Sequence, residues 1–355
     1  MYHELRERGT SARDEGEFAM RSAPRVAMTL LAAALALAAE RQAAKAEVTE
    51  LRITRQPSVL YLQEVLMEEK KLIEKQAAAL GLKDIKPSWV MITSGGVATE
   101  ALLSGSVDIV VSGISNMLLL WDRTNGGVKM VAGVGGLPML LVTRNPEIKS
   151  IRDFGASDRI ALPTIKVSMQ ASMLGMALEK AYGPGAHNKL ESIQVQIGHP
   201  DATQALLNPS HEINSHFSAP PFQQIALKSP SVHTVLNSID VLGGPSTITN
   251  AFATQKFVEA NPLTVKAFIA ALDEASDMIA KDPKGAAEIY LAATKEKISV
   301  EELTKMITEE GAIFSATPQR SMLYAEYMYR VGLLKRKPSG WKDYVFPALH
   351  DRPGS

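Results

Sequence analysis

The chain has 355 residues, 46% of them apolar and 21% charged, which gives packed domains, about two at roughly 150 residues each. Lys+Arg and Asp+Glu both total 38, a neutral balance that argues against a protein living on phosphate contacts with nucleic acid. With no cysteine, disulfide scaffolds, thiolate metal sites and cysteine nucleophiles are excluded, and the absence suits an oxidising compartment.

In chain order, the first feature is the apolar run Val26 to Ala39, too short to span a bilayer and the right length for the core of a signal peptide. Arg21 and Arg25 precede it, and Ala44-Lys45-Ala46 supplies a small-x-small cleavage site. Residues 1–46 are therefore expected to be a leader, with export and cleavage after Ala46. Glu4, Glu7, Asp14, Glu15 and Glu17 outnumber Arg6, Arg8 and Arg13 ahead of it, the wrong sign for such a peptide. This predicts that translation starts at Met20.

Strand and helix patterns then alternate. Glu50 to Thr54 predicts a strand. Pro57 to Leu80 predicts one helix, stopped by Gly81. Strands are expected at Trp89–Ile92, Val107–Val111, Val128–Val131 and Met139–Val142, with helices from Gly96 to Leu103 and from Asn116. This order predicts a parallel sheet with helices on both faces. A second α/β unit follows. Ser150 to Asp153 reads as a capping-box helix start, Arg159–Leu162 as a strand and Ser168–Tyr182 as a helix. Ile193–Ile197 reads as a strand, Asp201 as a cap, and Ile213–Phe217 and Thr234–Ile239 as strands. The remainder reads as helical, with starts at Thr254, Asn261-Pro262, Asp282-Pro283, Ser299 and Thr317-Pro318. The expected division is 47–145 plus 246–355 as the first lobe with the C-terminal helices, and 146–245 as the second.

Machinery for chemistry is missing. Gly133-Val134-Gly135-Gly136 resembles a dinucleotide fingerprint, but Pro138 occupies the third glycine position and a strand follows. There is no phosphate-binding loop, no nucleophile elbow and no His-x-x-x-His pair among the 7 histidines, so neither metal nor cofactor is expected. What remains is a set of small polar turns that each precede a helix: Gln56-Pro57-Ser58, Ser94-Gly95-Gly96, and Thr164-Ile165-Lys166-Val167-Ser168. Helix starts present unpaired N–H groups and a positive dipole end, which hold anions without a cationic side chain. Taken alone, Ser94 or Ser168 reads equally well as a cap. Ser112-Gly113-Ile114-Ser115-Asn116 could line the same cleft or form a tight turn. His199, His216 and Phe217 follow or end strands of the second unit, Arg55 ends the first strand, and Met169, Met173 and Met176 read as core.

These residues, in this order, resemble the nitrate/sulfonate/taurine class of periplasmic solute-binding proteins of ABC transporters. The resemblance is carried by Leu51-Arg52-Ile53 with Gln56; by Ser94-Gly95-Gly96 through Glu100-Ala101-Leu102 and Gly105-Ser106-Val107-Asp108; by Ile148 to Phe154; and by Phe257 to Pro262. It spans about 48 to 335. It implies a type II periplasmic-binding fold, with two α/β lobes joined by a hinge and the ligand in the cleft. It further implies a periplasmic location, no catalysis, an inner-membrane permease as partner, and ligand contacts at Gln56 to Ser58, Ser94 to Gly96, Ser115-Asn116 and Thr164 to Ser168. A monomer is expected. Val167 and the stretch Phe217-Ser218-Ala219-Pro220 depart from the family pattern, so the resemblance does not name the solute. An enzyme on the same fold, acting on small aromatic acids, and a sensor domain for the same solute are the alternatives.

Overall fold

The computed structural model describes residues 47–355, so the expected leader, its start at Met20 and its cleavage site lie outside the described residues. Among the described residues, no helix is long and apolar enough to cross a membrane.

The first lobe opens with strand β1 (Glu50–Arg55), helices α1 (Leu62–Glu69) and α2 (Leu72–Ala79), and strand β2 (Lys86–Met91), which pairs parallel to β1. The single helix expected from Pro57 is thus two. The exposed run Glu69-Lys70-Lys71 buries nothing to hold a helix across it, and Lys71 turns left-handed at φ 51° so that Leu72 and Ile73 reach the core. Then come α3 (Gly95–Leu103), β3 (Val110–Gly113), α4 (Ile114–Arg123) and β4 (Val128–Gly136).

At 137–139 the chain crosses to a second sheet. It contains β5 (Leu140–Thr143), β6 (Ile160–Leu162), β7 (Gln194–Gln196), β8 (Ser215–Phe217) and β9 (His233–Asn237), in the order β7-β6-β8-β5-β9. Helices α5 (Met169–Tyr182), α6 (His199–Leu207), α7 (Phe222–Leu227) and α8 (Ser238–Leu242) cover it. The chain returns through 243–248 into β10 (Thr249–Thr254), which inserts antiparallel between β3 and β4. Helices α9 (Gln255–Ala260), α10 (Pro262–Lys281), α11 (Pro283–Thr294) and α12 (Val300–Thr308), strand β11 (Ile313–Phe314) and helix α13 (Met322–Arg330) complete the first lobe.

The first lobe is therefore mixed rather than parallel throughout. A strand that arrives from the far lobe must enter against the direction of its neighbours, and β10 and β11 lie in the stretch expected to be helical. Three expected helix starts are also corrected. Ser150 to Asp153 is a closed turn, because the Asp153 carboxylate accepts from Lys149 N (3.0 Å) and Ser150 N (2.7 Å) and spends the capping groups on each other. Asp201 lies in the first turn of α6, whose cap is Gly198 with Pro200 just inside. Thr317-Pro318 starts no helix. Gln319 N donates to Thr247 Oγ1 (2.9 Å) and Thr247 N to Gln319 O (2.9 Å), so this segment is tied as a strap to the returning chain. The caps at Thr254, Asp282 and Ser299 form as expected, the last as a full capping box with Glu302.

Candidate ligand site

The two lobes meet around a narrow cleft, partly open to solvent. Gln56, Ser58, Gly95, Asn116, Thr164, Ser168 and His199 all line it, from sequence positions more than 140 residues apart. Helices α3 and α4 of the first lobe and α5 and α6 of the second all begin on its wall, at Gly95, just after Gly113, at Met169 and at His199. Each helix start leaves N–H groups without an intrahelical acceptor, so partial positive charge converges on the cleft from both sides. Among the described residues, no Lys, Arg, Asp or Glu side chain lines it.

On the first lobe, Ser112 is the hub. Its Oγ accepts from Gln56 Nε2 (3.2 Å) and from Asn116 Nδ2 (3.1 Å). Gly95 packs onto this pair so tightly that a Cβ there would lie 2.0 Å from Asn116 Nδ2 and 2.6 Å from Ser112 Oγ, which explains the glycine at the start of α3. Ser58 accepts from Leu60 N (3.2 Å) and donates to Pro220 O of the other lobe (2.6 Å). It lines the cleft, yet its hydrogen already serves the contact between lobes.

On the second lobe, Ser168 Oγ caps α5 by accepting from Ala171 N (3.2 Å), leaving its own hydrogen to donate. Ser168→Ala is expected to cost about 1 kcal/mol of stability through the lost cap, with a further loss of about 1–3 kcal/mol in binding if the hydroxyl holds a charged oxygen. Melting curves and isothermal titration of the one variant separate the two terms. His199 stacks on Phe222 with ring centroids 5.8 Å apart, and its Nδ1 lies 2.9 Å from His216 Nε2. Burial pushes His199 down to about 4 and His216 well below the ordinary histidine range, so both rings are neutral at pH 7.

The remaining expected residues sit outside the cleft lining. Ser94 is the cap residue of α3 but makes no side-chain cap bond, and Gly96 follows inside the helix. Ser115 is buried, with Oγ 3.0 Å from Ser172 Oγ of the other lobe, and so joins the lobes instead of facing the solute space. Lys166 turns left-handed at φ 68° and pairs with Glu191 at 2.7 Å. His216 lies behind His199, and Phe217 is core, paired with Leu141 in the sheet. Arg55 is engaged by Glu68. Pro57, Leu60, Tyr61, Ser112, Gly113, Pro163, Met169 and Gln170 complete the wall. The Ser112 cluster was legible as a polar turn after a strand. Met169 and Gln170 gave no signal, because a helix pattern does not reveal which residues of its first turn face a second lobe.

No family model and no curated protein matches the chain. Solved structures do. The alkanesulfonate-binding protein of Xanthomonas axonopodis pv. citri, bound to MOPS, superposes with a TM-score of 0.68 at 16% identity, covering 85% of this chain and 99% of that one. This is the periplasmic-binding-protein fold. The periplasmic aliphatic sulphonate-binding protein of Escherichia coli shares it with a TM-score of 0.64 at 18% identity, over 84% of this chain and 92% of that one. So does the periplasmic nitrate-binding protein of Synechocystis PCC 6803, with a TM-score of 0.59 at 14% identity, over 81% and 83% respectively. The expected architecture of two α/β lobes about a cleft is thus the architecture found.

Proposed function

We propose that the protein is the solute-binding component of an ABC importer, exported to the periplasm, which traps a small polar or anionic solute between its lobes and delivers it to an inner-membrane permease. The observation that carries this reading is the convergence of helix starts from both lobes on one uncharged cleft. Oriented N–H groups at both walls hold an oxyanion or a strong acceptor only when the lobes are together, which couples binding to closure. Proteins of the same fold bind sulfonate and nitrate. Among the described residues, no nucleophile on the cleft is hydrogen-bonded to a histidine or a carboxylate. His199 is held between Gln170 and His216. This reading has the solute bound and released unchanged by a monomer.

Native mass spectrometry of the protein taken from its own periplasm tests this directly. One small molecule per chain is expected, with unchanged mass after incubation. At a hundredfold excess over Kd, that solute should add about 2.7 kcal/mol of stability. Conversion of the molecule into a product would sink the reading in favour of an enzyme.

A further inference from the structure

Buried hydrogen bonds of the second lobe fix the orientation of one side chain on the cleft wall. Gln170 is 1% exposed and lines the cleft. Its Nε2 lies 3.7 Å from Met139 Sδ and 3.0 Å from His199 Nε2. A thioether accepts and never donates, so the amide nitrogen, not the oxygen, faces Met139. The second amide hydrogen then goes to His199 Nε2, which must be bare. His199 therefore carries its hydrogen on Nδ1 and donates it to His216 Nε2 at 2.9 Å, and His216 carries its own on Nδ1. Both rings are neutral, and the relay ends at His216 Nδ1, which is buried and has no partner among the described residues. Among the cleft-lining residues described, the one buried polar side-chain atom without a partner is Gln170 Oε1. Across the cleft, Ser112 Oγ accepts two amide hydrogens and so keeps its own hydrogen to donate.

Donors thus line both walls, and the second lobe adds one acceptor held in place. We infer that the cleft selects a solute that carries both an acceptor group and an O–H or uncharged N–H donor, with the donor held by Gln170 Oε1. The inference rests on the solute-binding reading and narrows it to a substrate class: hydroxylated acids and sulfonates, amides, ureas and lactams. With no acidic side chain on the wall, an ammonium donor would go uncompensated. Solutes with acceptors alone, such as nitrate or a plain alkanesulfonate, leave a buried amide oxygen unpaired, and a site built for a donor rejects the analogue that lacks one.

Two readouts on the wild-type chain test this. The first is ¹⁵N NMR of the histidine rings without added solute. Bare Nε2 and protonated Nδ1 are expected for both His199 and His216; a protonated Nε2 on His199 would turn the amide around and overturn the inference. The second is titration calorimetry with matched pairs, 2-hydroxyethanesulfonate against ethanesulfonate and uracil against 1,3-dimethyluracil. In a pair that binds, the donor-bearing member should bind at least about tenfold more tightly. In Gln170→Met that ratio should fall to near one. Equal or tighter binding of the donor-free member overturns the inference, and so does silence from all four compounds. The solute-binding reading survives either result if native mass spectrometry finds another solute bound. Both wild-type readouts decide the matter even where Gln170→Met does not fold.

Discussion

Replacing Gly136 with alanine is expected to destabilise the protein by about 3 kcal/mol, near the top of the range for a single methyl group. A Cβ at 136 would lie 2.2 Å from Ser246 O and 3.1 Å from Ile248 Cγ1. Ser246 belongs to the returning segment between the lobes, and Gly136 ends β4, where the chain leaves. The outgoing and returning segments therefore touch backbone to backbone, and neither can yield without moving a lobe. Gly135 is similarly placed, with a Cβ site 2.2 Å from Ile313 O. Urea denaturation of Gly136→Ala beside Gly340→Ala is the check, since a Cβ at 340 meets nothing within 4 Å. Equal midpoints for the two variants would refute the close approach.

Glu64→Gln is expected to stabilise the protein by about 2–4 kcal/mol at pH 8, and to flatten its stability between about pH 4.5 and 8. Glu64 is 0% exposed in α1, and neither carboxyl oxygen has a hydrogen-bond partner. Burial pushes the group up from 4.5 to about 8, opposed only weakly by its own backbone N–H and by the charge of Arg55. The folded state therefore keeps a proton that the unfolded chain has released. Stability is fully present below about pH 4.5 and falls by roughly 1.4 kcal/mol per pH unit until the folded group itself ionises near pH 8. Denaturation at pH 5, 6.5 and 8 measures the slope for both chains; parallel curves would show that Glu64 ionises normally.

The alternation of strands and helices was legible because it rests on local pattern, and the polar turns before α3 and α5 were legible because helix starts need them. What the sequence hid was long-range. The Gly133 to Gly136 run looked like a failed nucleotide loop and is a strand whose glycines admit Ile313, Ser315 and Ser246 carbonyls. β10 reads as a helix lead-in, since only its neighbours β3 and β4 make Thr249 to Thr254 a central strand. In the cleft, chemistry was visible but direction was not. Ser115 and Lys166 carry the right groups, and packing turns them to other partners, while Ser94 stays off the cleft lining without a side-chain cap bond.

One contact at the start of the described chain acts as a length gauge. The Glu47 carboxylate sits on the first turn of α10, accepting from Leu263 N (2.7 Å), Thr264 N (2.6 Å) and Thr264 Oγ1 (2.6 Å). Beside it, Val48 N donates to Asn261 Oδ1 (2.9 Å). Asn261, the residue before that helix, makes no side-chain cap of its own, so the cap is supplied from more than 200 residues away. Removal of Glu47 uncovers the start of α10, the longest helix among the described residues.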